Sequence, residues 1–114
     1  MKTIELIVPC YNEESCVKLF YERICEVFYV ERLTNYNFTI TYIDDGSKDD
    51  TMGEIKKTLA YHNSQLSSGA INKGCIQYIS LSRNFGKESA LYAGLQKSTG
   101  DYVCVLDADL QHPP

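Results

Sequence analysis

The sequence predicts an α/β fold in which a mostly parallel sheet carries helices on both of its faces. Short runs of branched apolar residues alternate along the chain with longer segments whose apolar residues recur every three or four positions. The first pattern is typical of buried strands and the second of amphipathic helices. Their alternation indicates βαβ units, which require parallel strands and right-handed crossovers. At 114 residues, the chain fits a single domain.

The amino-terminal half is predicted to contain a strand, a helix and a second strand. Residues 4–9 form an apolar run bounded by a proline, which predicts a buried strand. Asn12 is a suitable N-cap for a helix with Glu13 and Glu14 in its first turn, where acidic residues complement the helix dipole. Residues 38–43 return to strand character. The predicted apolar face of the helix comprises Val17, Phe20, Tyr21, Ile24 and Phe28.

The carboxyl-terminal half is predicted by the same rules. Residues 62–74 are polar, and we expect a connection without function that includes an exposed His62. Gly100 is expected to end the third helix in a left-handed turn. Cys25 and Cys104 have apolar neighbours and are expected in the core. The other predicted elements are a second helix with Met52, Ile55 and Leu59 on its inner side, a strand at 76–81, a helix at 88–98 with Leu91, Gly94 and Leu95 on one side, and a strand at 102–106.

Composition and charge argue against several classes of function. The formal net charge of −4 provides no basic stripe for a nucleic-acid backbone, so we expect no nucleic-acid partner. We find no cleavable leader and no apolar stretch near the roughly 18 residues that span a bilayer, so we expect a soluble chain. The five cysteines form no metal-ligand pattern, which indicates a reduced, cytoplasmic environment. Among them, Cys10 is expected to pack rather than to react.

Four polar loops follow the four predicted strands. They are residues 10–14, 44–47, 83–87 and 107–111. Parallel sheets bind ligands beyond the carboxyl ends of their strands, because loops and helix amino termini with free N–H groups gather there. We therefore expect all four loops to lie on one rim of the sheet and to form the functional site.

The last of these loops carries side-chain oxygen at every second position, in Asp107, Asp109 and Gln111. Residues two apart in extended backbone project to the same side, so two carboxylates and an amide can converge. A divalent cation such as Mg²⁺ or Mn²⁺ would cancel their repulsion and keep sites free for the phosphates of a substrate. A solvated acidic turn explains the same spacing, and both interpretations stay open at this point.

The other loops offer groups that suit a nucleotide diphosphate. Tyr11 presents a flat face on which a base could stack, and Glu13 or Asp45 can accept hydrogen bonds from a base edge or ribose. Arg83 and Lys87 can meet phosphate charge. Each residue also has a purely structural explanation, as packing, a helix-dipole partner, a turn former or a solvated charge.

Two common phosphate-binding motifs are excluded by spacing. A P-loop needs glycine five residues before Gly86 and Ser or Thr directly after Lys87, where the chain has Leu81 and Glu88. No Gly-x-Gly-x-x-Gly follows the first strand, which excludes the dinucleotide fingerprint. A phosphoacceptor module that forms an aspartyl phosphate beside Mg²⁺ stays open as an alternative.

Four motifs connect the chain to a known family. They are VPCYNEE at 8–14, DDGS at 44–47, LSRNFGKE at 81–88 and DADLQHPP at 107–114. In this order they resemble the donor-binding motifs of family 2 glycosyltransferases, which have a Rossmann-like fold called GT-A. The last two motifs are similar to the polyprenyl-phosphate branch, which includes dolichyl-phosphate mannose synthases and bacterial undecaprenyl-phosphate sugar transferases.

The resemblance implies a role for each loop. Asp45 would contact the base edge of a nucleotide-sugar. Asp107, Asp109 and Gln111 would hold the Mg²⁺ or Mn²⁺ that bridges to the donor diphosphate. The nucleotide-binding residues that the resemblance implies are Pro9, Tyr11, Glu13, Asp45, Arg83, Lys87 and Asp107.

The implied activity is metal-dependent, inverting transfer of a sugar from a UDP- or GDP-sugar to a polyprenyl phosphate, at the cytoplasmic face of a membrane. Residues 1–114 would be the amino-terminal, donor-binding part of a GT-A domain, truncated after the metal loop and without useful turnover by itself. Its open sheet edge could be covered by self-association into a homo-oligomer. Transfer to a saccharide hydroxyl and a non-catalytic nucleotide-binding module are the alternatives.

Overall fold

A computed structural model describes residues 1–109 as four strands and three helices in strict alternation. All of the predicted elements are present, although the first helix begins later and the second ends later than predicted. Gln111, the third predicted metal ligand, lies outside the described residues. In chain order the elements are β1 (Thr3–Cys10), α1 (Val17–Tyr29), β2 (Asn37–Asp44), α2 (Thr51–Ser68), β3 (Cys75–Ser80), α3 (Lys87–Lys97) and β4 (Tyr102–Val105).

The four strands form one sheet in the order β3-β2-β1-β4, and every neighbouring pair is parallel. The register places Cys10 beside Asp44 and Asp44 beside Ser80, so β1, β2 and β3 end level with one another. Because all strands run in the same direction, the loops that follow them gather at one edge of the sheet. The predicted fold class is therefore confirmed.

Side chains of the two central strands alternate between two apolar clusters, one on each face of the sheet. Leu6 and Ile40 belong to the cluster that packs against α1 and α2, whereas Ile7 and Ile43 belong to the cluster beneath α3. At Gly94 of α3, an added Cβ would lie 2.5 Å from Ile43 Cδ1, so this helix approaches the sheet more closely than a larger residue would permit. Burial on both faces explains why the central strands carry apolar side chains on both faces.

A polar ladder crosses the sheet on the side of α3. The amide of Gln77 on β3 donates to the Thr41 hydroxyl on β2 at 2.8 Å, and that hydroxyl donates to Glu5 on β1 at 2.9 Å. The other carboxylate oxygen of Glu5 accepts the N–H groups of Thr99 and Gly100 at 2.7 and 3.0 Å. Glu5 is completely buried, and its carboxylate connects the two central strands to the segment that leads into β4.

The start of α1 differs from the prediction. The helix begins at Val17 with Cys16 as its N-cap, so Glu13 and Glu14 lie in the preceding loop rather than in the first turn. Asn12 is not a helix cap, because its backbone has a positive φ of 54° and its side chain accepts a hydrogen bond from outside the helix. Asparagine tolerates this left-handed conformation better than most residues, and here it supports the loop.

The prediction of a polar connection at residues 62–74 is wrong for its first half. α2 continues to Ser68 and ends at Gly69, which has left-handed backbone. His62 is completely buried rather than exposed, and its Nδ1 lies 2.8 Å from the Tyr21 hydroxyl of α1. The polar residues form the outer face of a helix that is anchored by contacts between helices, which local propensity cannot reveal.

The region around β4 also differs from the prediction. Ser98, with extended backbone, caps α3, and Gly100 does not have the expected positive φ. Leu95 and Cys104 are exposed rather than buried. Within residues 1–109, β4 pairs with β1 alone, so all four of its residues lie at an exposed sheet edge.

Candidate functional site

A cavity of about 420 Å³ opens at the carboxyl edge of the sheet, where the four polar loops meet. It brings together all of the predicted nucleotide-binding residues except Arg83. Three further residues, Cys10, Asn84 and Gly86, line it without having been predicted as site residues. The complete lining is Pro9, Cys10, Tyr11, Glu13, Asp45, Asn84, Gly86, Lys87 and Asp107.

Hydrogen bonds join the loop after β1 to the loop after β2. The Asn12 N–H donates to the Ser47 hydroxyl, and the Lys48 N–H donates to the Asn12 side-chain oxygen, both at 2.9 Å. The Glu13 N–H donates to the Thr51 hydroxyl, also at 2.9 Å. These bonds hold one wall of the cavity in place, and sequence reasoning missed them because their partners are more than thirty positions apart.

Asp49 reinforces the same junction. Its carboxylate accepts the N–H of Glu14 at 3.3 Å and the N–H of Thr51 at 3.0 Å, and it also accepts the Thr51 hydroxyl. Desolvation acts to raise the pKa of Asp49, but the hydrogen bonds from Thr51 and Glu14 outweigh it and leave that pKa below its ordinary value. The folded junction therefore favours the ionised carboxylate.

Asp45 lies in the wall of the cavity with only 3% of its surface exposed. Its Oδ1 accepts the Phe85 N–H at 2.8 Å, and its Oδ2 accepts the Gly86 N–H at 3.0 Å. The side-chain amide of Asn84 lies 3.4 Å from Oδ2 and 3.3 Å from the Asp45 carbonyl oxygen. The carboxylate that was expected to contact a base edge is thus already bonded to the loop before α3.

Arg83 is the predicted nucleotide-binding residue that the structure does not bring to the cavity wall. Its guanidinium lies 4.8 Å from the centre of the Phe85 ring, and both residues are exposed. This is the geometry of a cation–π contact. The Arg83 side chain therefore lies outside the cavity wall, although other residues of its loop are bonded to Asp45.

Lys87 and Asp107 face each other across the mouth of the cavity. The Lys87 ammonium donates to Asp107 Oδ1 at 2.7 Å, and 59% of each side chain is exposed. The next residue, Ala108, is buried in the apolar cluster on the side of α1, which anchors the acidic loop. Asp109 follows it and is exposed.

The residues present fit a hard divalent cation. Carboxylate oxygens are the ligands that Mg²⁺ and Mn²⁺ prefer, and Asp107 already attracts a positive charge, that of the Lys87 ammonium. Within residues 1–109, no group of three or more His, Cys, Asp or Glu side chains is arranged around one point. Asp107 and Asp109 would therefore supply part of a metal site rather than a closed protein cage.

The two cysteines near the cavity are not activated nucleophiles. Burial raises the pKa of the Cys10 thiol far above its ordinary value, and the carboxylates of Glu13 and Asp44 raise it further. The pKa of the Cys16 thiol is also raised, first by desolvation and then by Glu13 and Asp109. Cys10 is 1% exposed, so the prediction that it packs is confirmed. The raised pKa of both thiols reflects burial first and the nearby carboxylates second.

A larger groove, of about 700 Å³, lies between α1 and α2. None of the strand-following loops contributes to it. We place the functional site in the smaller cavity because polar groups from four loops converge there, whereas the groove is a gap between two helices. Its lining includes Lys18, Glu22, Cys25, Lys57 and Tyr61.

A parallel sheet with a polar cavity at its carboxyl edge defines a ligand-binding domain of the open α/β class. The chain belongs to the family described as glycosyl transferase family 2, whose family model matches residues 5–114. The family that the four motifs predicted is therefore confirmed.

Relatives and a solved structure extend this comparison. The bactoprenol glucosyl transferase of Shigella phage SfX is 40% identical over 110 residues, which cover 96% of this chain and 32% of that protein. The prophage bactoprenol glucosyl transferase homolog of Escherichia coli (strain K12) is 39% identical over 110 residues, with coverage of 96% and 31%. These names agree with the predicted polyprenyl-phosphate branch. The chain spans about a third of the length of these relatives.

The mannosyltransferase PcManGT from Pyrobaculum calidifontis, solved in complex with GDP-Man and Mn²⁺, matches the fold with a TM-score of 0.72. The match covers 93% of this chain and 27% of that chain, at 23% identity. Identity at this level concerns the fold alone, and the fold is the predicted GT-A fold. Among the helices of residues 1–109, none is both long and apolar enough to cross a bilayer.

Proposed function

We propose that the complete protein transfers a sugar from a UDP- or GDP-sugar to a polyprenyl phosphate, with inversion at the anomeric carbon and with Mg²⁺ or Mn²⁺ as cofactor. The observation that supports this most is the cavity where aromatic, acidic and cationic side chains from all four loops meet. Residues 1–114 would form the donor-binding part of the enzyme. The names of the bactoprenol glucosyl transferases support a lipid-linked acceptor.

The lining of the cavity suggests which residue would contact each part of a bound donor. Tyr11, which is 41% exposed, offers a ring for stacking on the base, and Pro9 lies beside it. Glu13 offers a carboxylate to the ribose hydroxyls. Lys87 offers an ammonium group to the diphosphate, which would then compete with Asp107 for its hydrogen bonds. Arg83 lies outside the cavity wall, so we propose that it meets acceptor charge instead.

In the proposed reaction, an oxygen of the acceptor phosphate attacks the anomeric carbon of the donor. A new carbon–oxygen bond forms, the old glycosyl–phosphate bond breaks, and its electron pair leaves on the nucleoside diphosphate. A divalent ion bound by Asp107 and Asp109 would supply Lewis-acid stabilisation of that leaving group. Because a phosphomonoester has a second pKa of roughly 6, the acceptor is largely ionised at neutral pH and needs no strong base.

Polyprenyl phosphates reside in membranes, so we propose that the complete protein works at the cytoplasmic face of a membrane. The exposed edge at β4 would then be covered by other protein segments or by a second copy of the chain. Both statements concern the whole protein rather than the described residues.

The test is transfer from radiolabelled UDP- and GDP-sugars to undecaprenyl phosphate by the complete protein, with Mn²⁺ or with a chelator. We expect label in the organic phase only when metal is present. Label that enters a saccharide acceptor but not the lipid would favour the hydroxyl-acceptor alternative. Binding of the donor without any transfer would favour a non-catalytic module.

A further inference from the structure

The carboxylate of Asp45 is engaged with the loop between β3 and α3 by contacts that span about forty positions of sequence. Both oxygens accept backbone N–H groups, one from Phe85 at 2.8 Å and one from Gly86 at 3.0 Å. The amide of Asn84 approaches the same residue from the side. Because Asp45 is nearly fully buried, these bonds are shielded from competition by water.

The bonded N–H groups lie at the amino end of α3. Gly86 is the N-cap of this helix, and Lys87 is its first residue. The first N–H groups of a helix lack partners within the helix, and a negative charge beside them is stabilised by the helix dipole. The carboxylate of Asp45, which belongs to the loop after β2, therefore serves as an anion bound at the start of α3. Part of the anion-binding capacity of this helix end is already used.

A close backbone contact also joins the loop between β3 and α3 to the turn after β2. Gly46 has a positive φ of 68°, and an added Cβ would lie 2.2 Å from the carbonyl carbon of Arg83 and 2.3 Å from the Asn84 nitrogen. The loop therefore rests directly on the turn after β2. Only glycine accommodates both the conformation and the approach.

We infer that Asp45 is a positioning residue, which fixes residues 84–86 and thereby holds the Lys87 ammonium over Asp107 and the donor diphosphate. The expected contact with the base edge stays a prediction beside this role, which rests on the proposed function. It follows that Asp45 contributes to the affinity for every ligand that carries a diphosphate, even when no base is present.

The experiment compares Asp45→Asn with the unaltered complete protein by calorimetry, using UDP, GDP and inorganic pyrophosphate, each with Mn²⁺. An asparagine oxygen can accept one of the two N–H groups, but its NH₂ would face the other, so the loop should loosen. We expect the affinity for pyrophosphate to fall by about tenfold, and the affinity for each nucleotide that binds to fall by at least as much. A loss confined to one nucleotide, with pyrophosphate binding unchanged, would overturn the inference.

Amide hydrogen exchange supplies a readout that does not depend on any ligand. In Asp45→Asn, the N–H groups of Phe85 and Gly86 should exchange faster than in the unaltered protein. Gly46→Ala should weaken pyrophosphate binding in the same way while leaving the Asp45 carboxylate chemically intact. The matched control is Asp50→Asn, because Asp50 is exposed at the start of α2 and makes no side-chain cap bond.

Failure of this inference can be told apart from failure of the proposed function. If the unaltered protein binds neither nucleotide nor pyrophosphate in the presence of Mn²⁺, the proposed function is wrong, and the inference that rests on it is withdrawn. If the unaltered protein binds them but Asp45→Asn changes neither pyrophosphate affinity nor amide exchange, only the positioning role is wrong.

Discussion

At the scale of single residues, the mouth of the site contains an ion pair between Lys87 and Asp107. Their hydrogen bond is short, at 2.7 Å, but more than half of each side chain is exposed. Exposed ion pairs typically contribute about 0–1 kcal/mol to stability, so this contact does little to hold the fold together. Both groups are therefore free to exchange partners when a ligand carrying phosphate or a metal ion arrives.

The first prediction concerns Lys87. Lys87→Met removes the positive charge while preserving an apolar stem, so UDP and GDP should bind at least about tenfold more weakly, as expected when a charge-assisted hydrogen bond is lost. Isothermal titration of the complete protein measures this change. Lys97→Met, at the other end of α3, is the control and should leave affinity unchanged. Equal affinities in all three proteins would contradict the proposed role of Lys87.

The second prediction concerns the acidic loop. Asp107→Asn replaces a charged oxygen ligand with a neutral one, so Mn²⁺ affinity should fall by about tenfold or more. Titration of free Mn²⁺ by electron paramagnetic resonance measures this directly, without any turnover. Asp101→Asn is the matched control, because Asp101 precedes β4 and bonds the Thr3 N–H instead. A fall of equal size in the control would mean that net charge, rather than ligation, governs metal binding.

At the scale of elements, one wall of the cavity depends on bonds between two loops rather than on either loop alone. Thr51, the first residue of α2, is completely buried, and its hydroxyl both accepts the Glu13 N–H and donates to Asp49. A buried N–H without a partner costs about 1–3 kcal/mol. The geometry of the loop after β1 is therefore set by the start of α2.

The third prediction follows from that dependence. Thr51→Val keeps the shape of the side chain but removes the hydroxyl, so the free energy of unfolding should fall by about 1–3 kcal/mol. Urea denaturation measures the change. Ser64→Ala is the control, because its exposed hydroxyl bonds only the Tyr61 carbonyl within the same helix and should matter little. A loss of less than about 0.5 kcal/mol in Thr51→Val would show that the junction does not need this hydroxyl.

The fourth prediction concerns pH and Asp49. Its pKa in the folded protein is lowered from 3.8, so the ionised form stabilises the fold. That stabilisation is fully present above the unfolded value and is lost as pH falls through the lower, folded value. Denaturation between pH 5 and about 2 should show a steeper loss of stability in the unaltered protein than in Asp49→Asn. Parallel curves for the two proteins would remove Asp49 as a cause of acid sensitivity.

At the scale of the whole molecule, the ladder from Gln77 through Thr41 to Glu5 joins three strands and the segment that enters β4. β4 has few contacts of its own because it pairs with β1 alone within residues 1–109. The bonds from Glu5 to Thr99 and Gly100 hold the segment that enters β4, and this strand carries the acidic loop. The position of Asp107 thus depends on Glu5, which lies near the start of β1.

The fifth prediction tests the ladder. Glu5→Ala leaves the buried Thr41 hydroxyl and two backbone N–H groups without their acceptor, so stability should fall by about 3 kcal/mol or more. Gln77→Ala removes only the outer donor and should cost about 1 kcal/mol. Chemical denaturation of both variants separates the two effects. Similar losses in both would indicate that Glu5 contributes packing volume rather than its carboxylate.

Local patterns in the sequence were sufficient for the fold and for the location of the site. The alternation of strand and helix periodicity predicted the parallel sheet, and parallel strands oblige the loops that follow them to share one edge. Pro9, Tyr11, Glu13 and Asp107 meet at the cavity for this reason. These features depend only on the spacing of residues along the chain, which sequence displays directly.

Tertiary structure alone decided which groups are bonded to which. The carboxylate of Asp45 is directed to the loop before α3, Arg83 stacks on Phe85 outside the cavity, and His62 is buried in a helix that its polar neighbours did not predict. Each outcome depends on partners that are remote in sequence and are brought close only by packing of the helices on the sheet. Spacing determines which way a side chain points, whereas the identity of its partner is determined by what the rest of the chain places there.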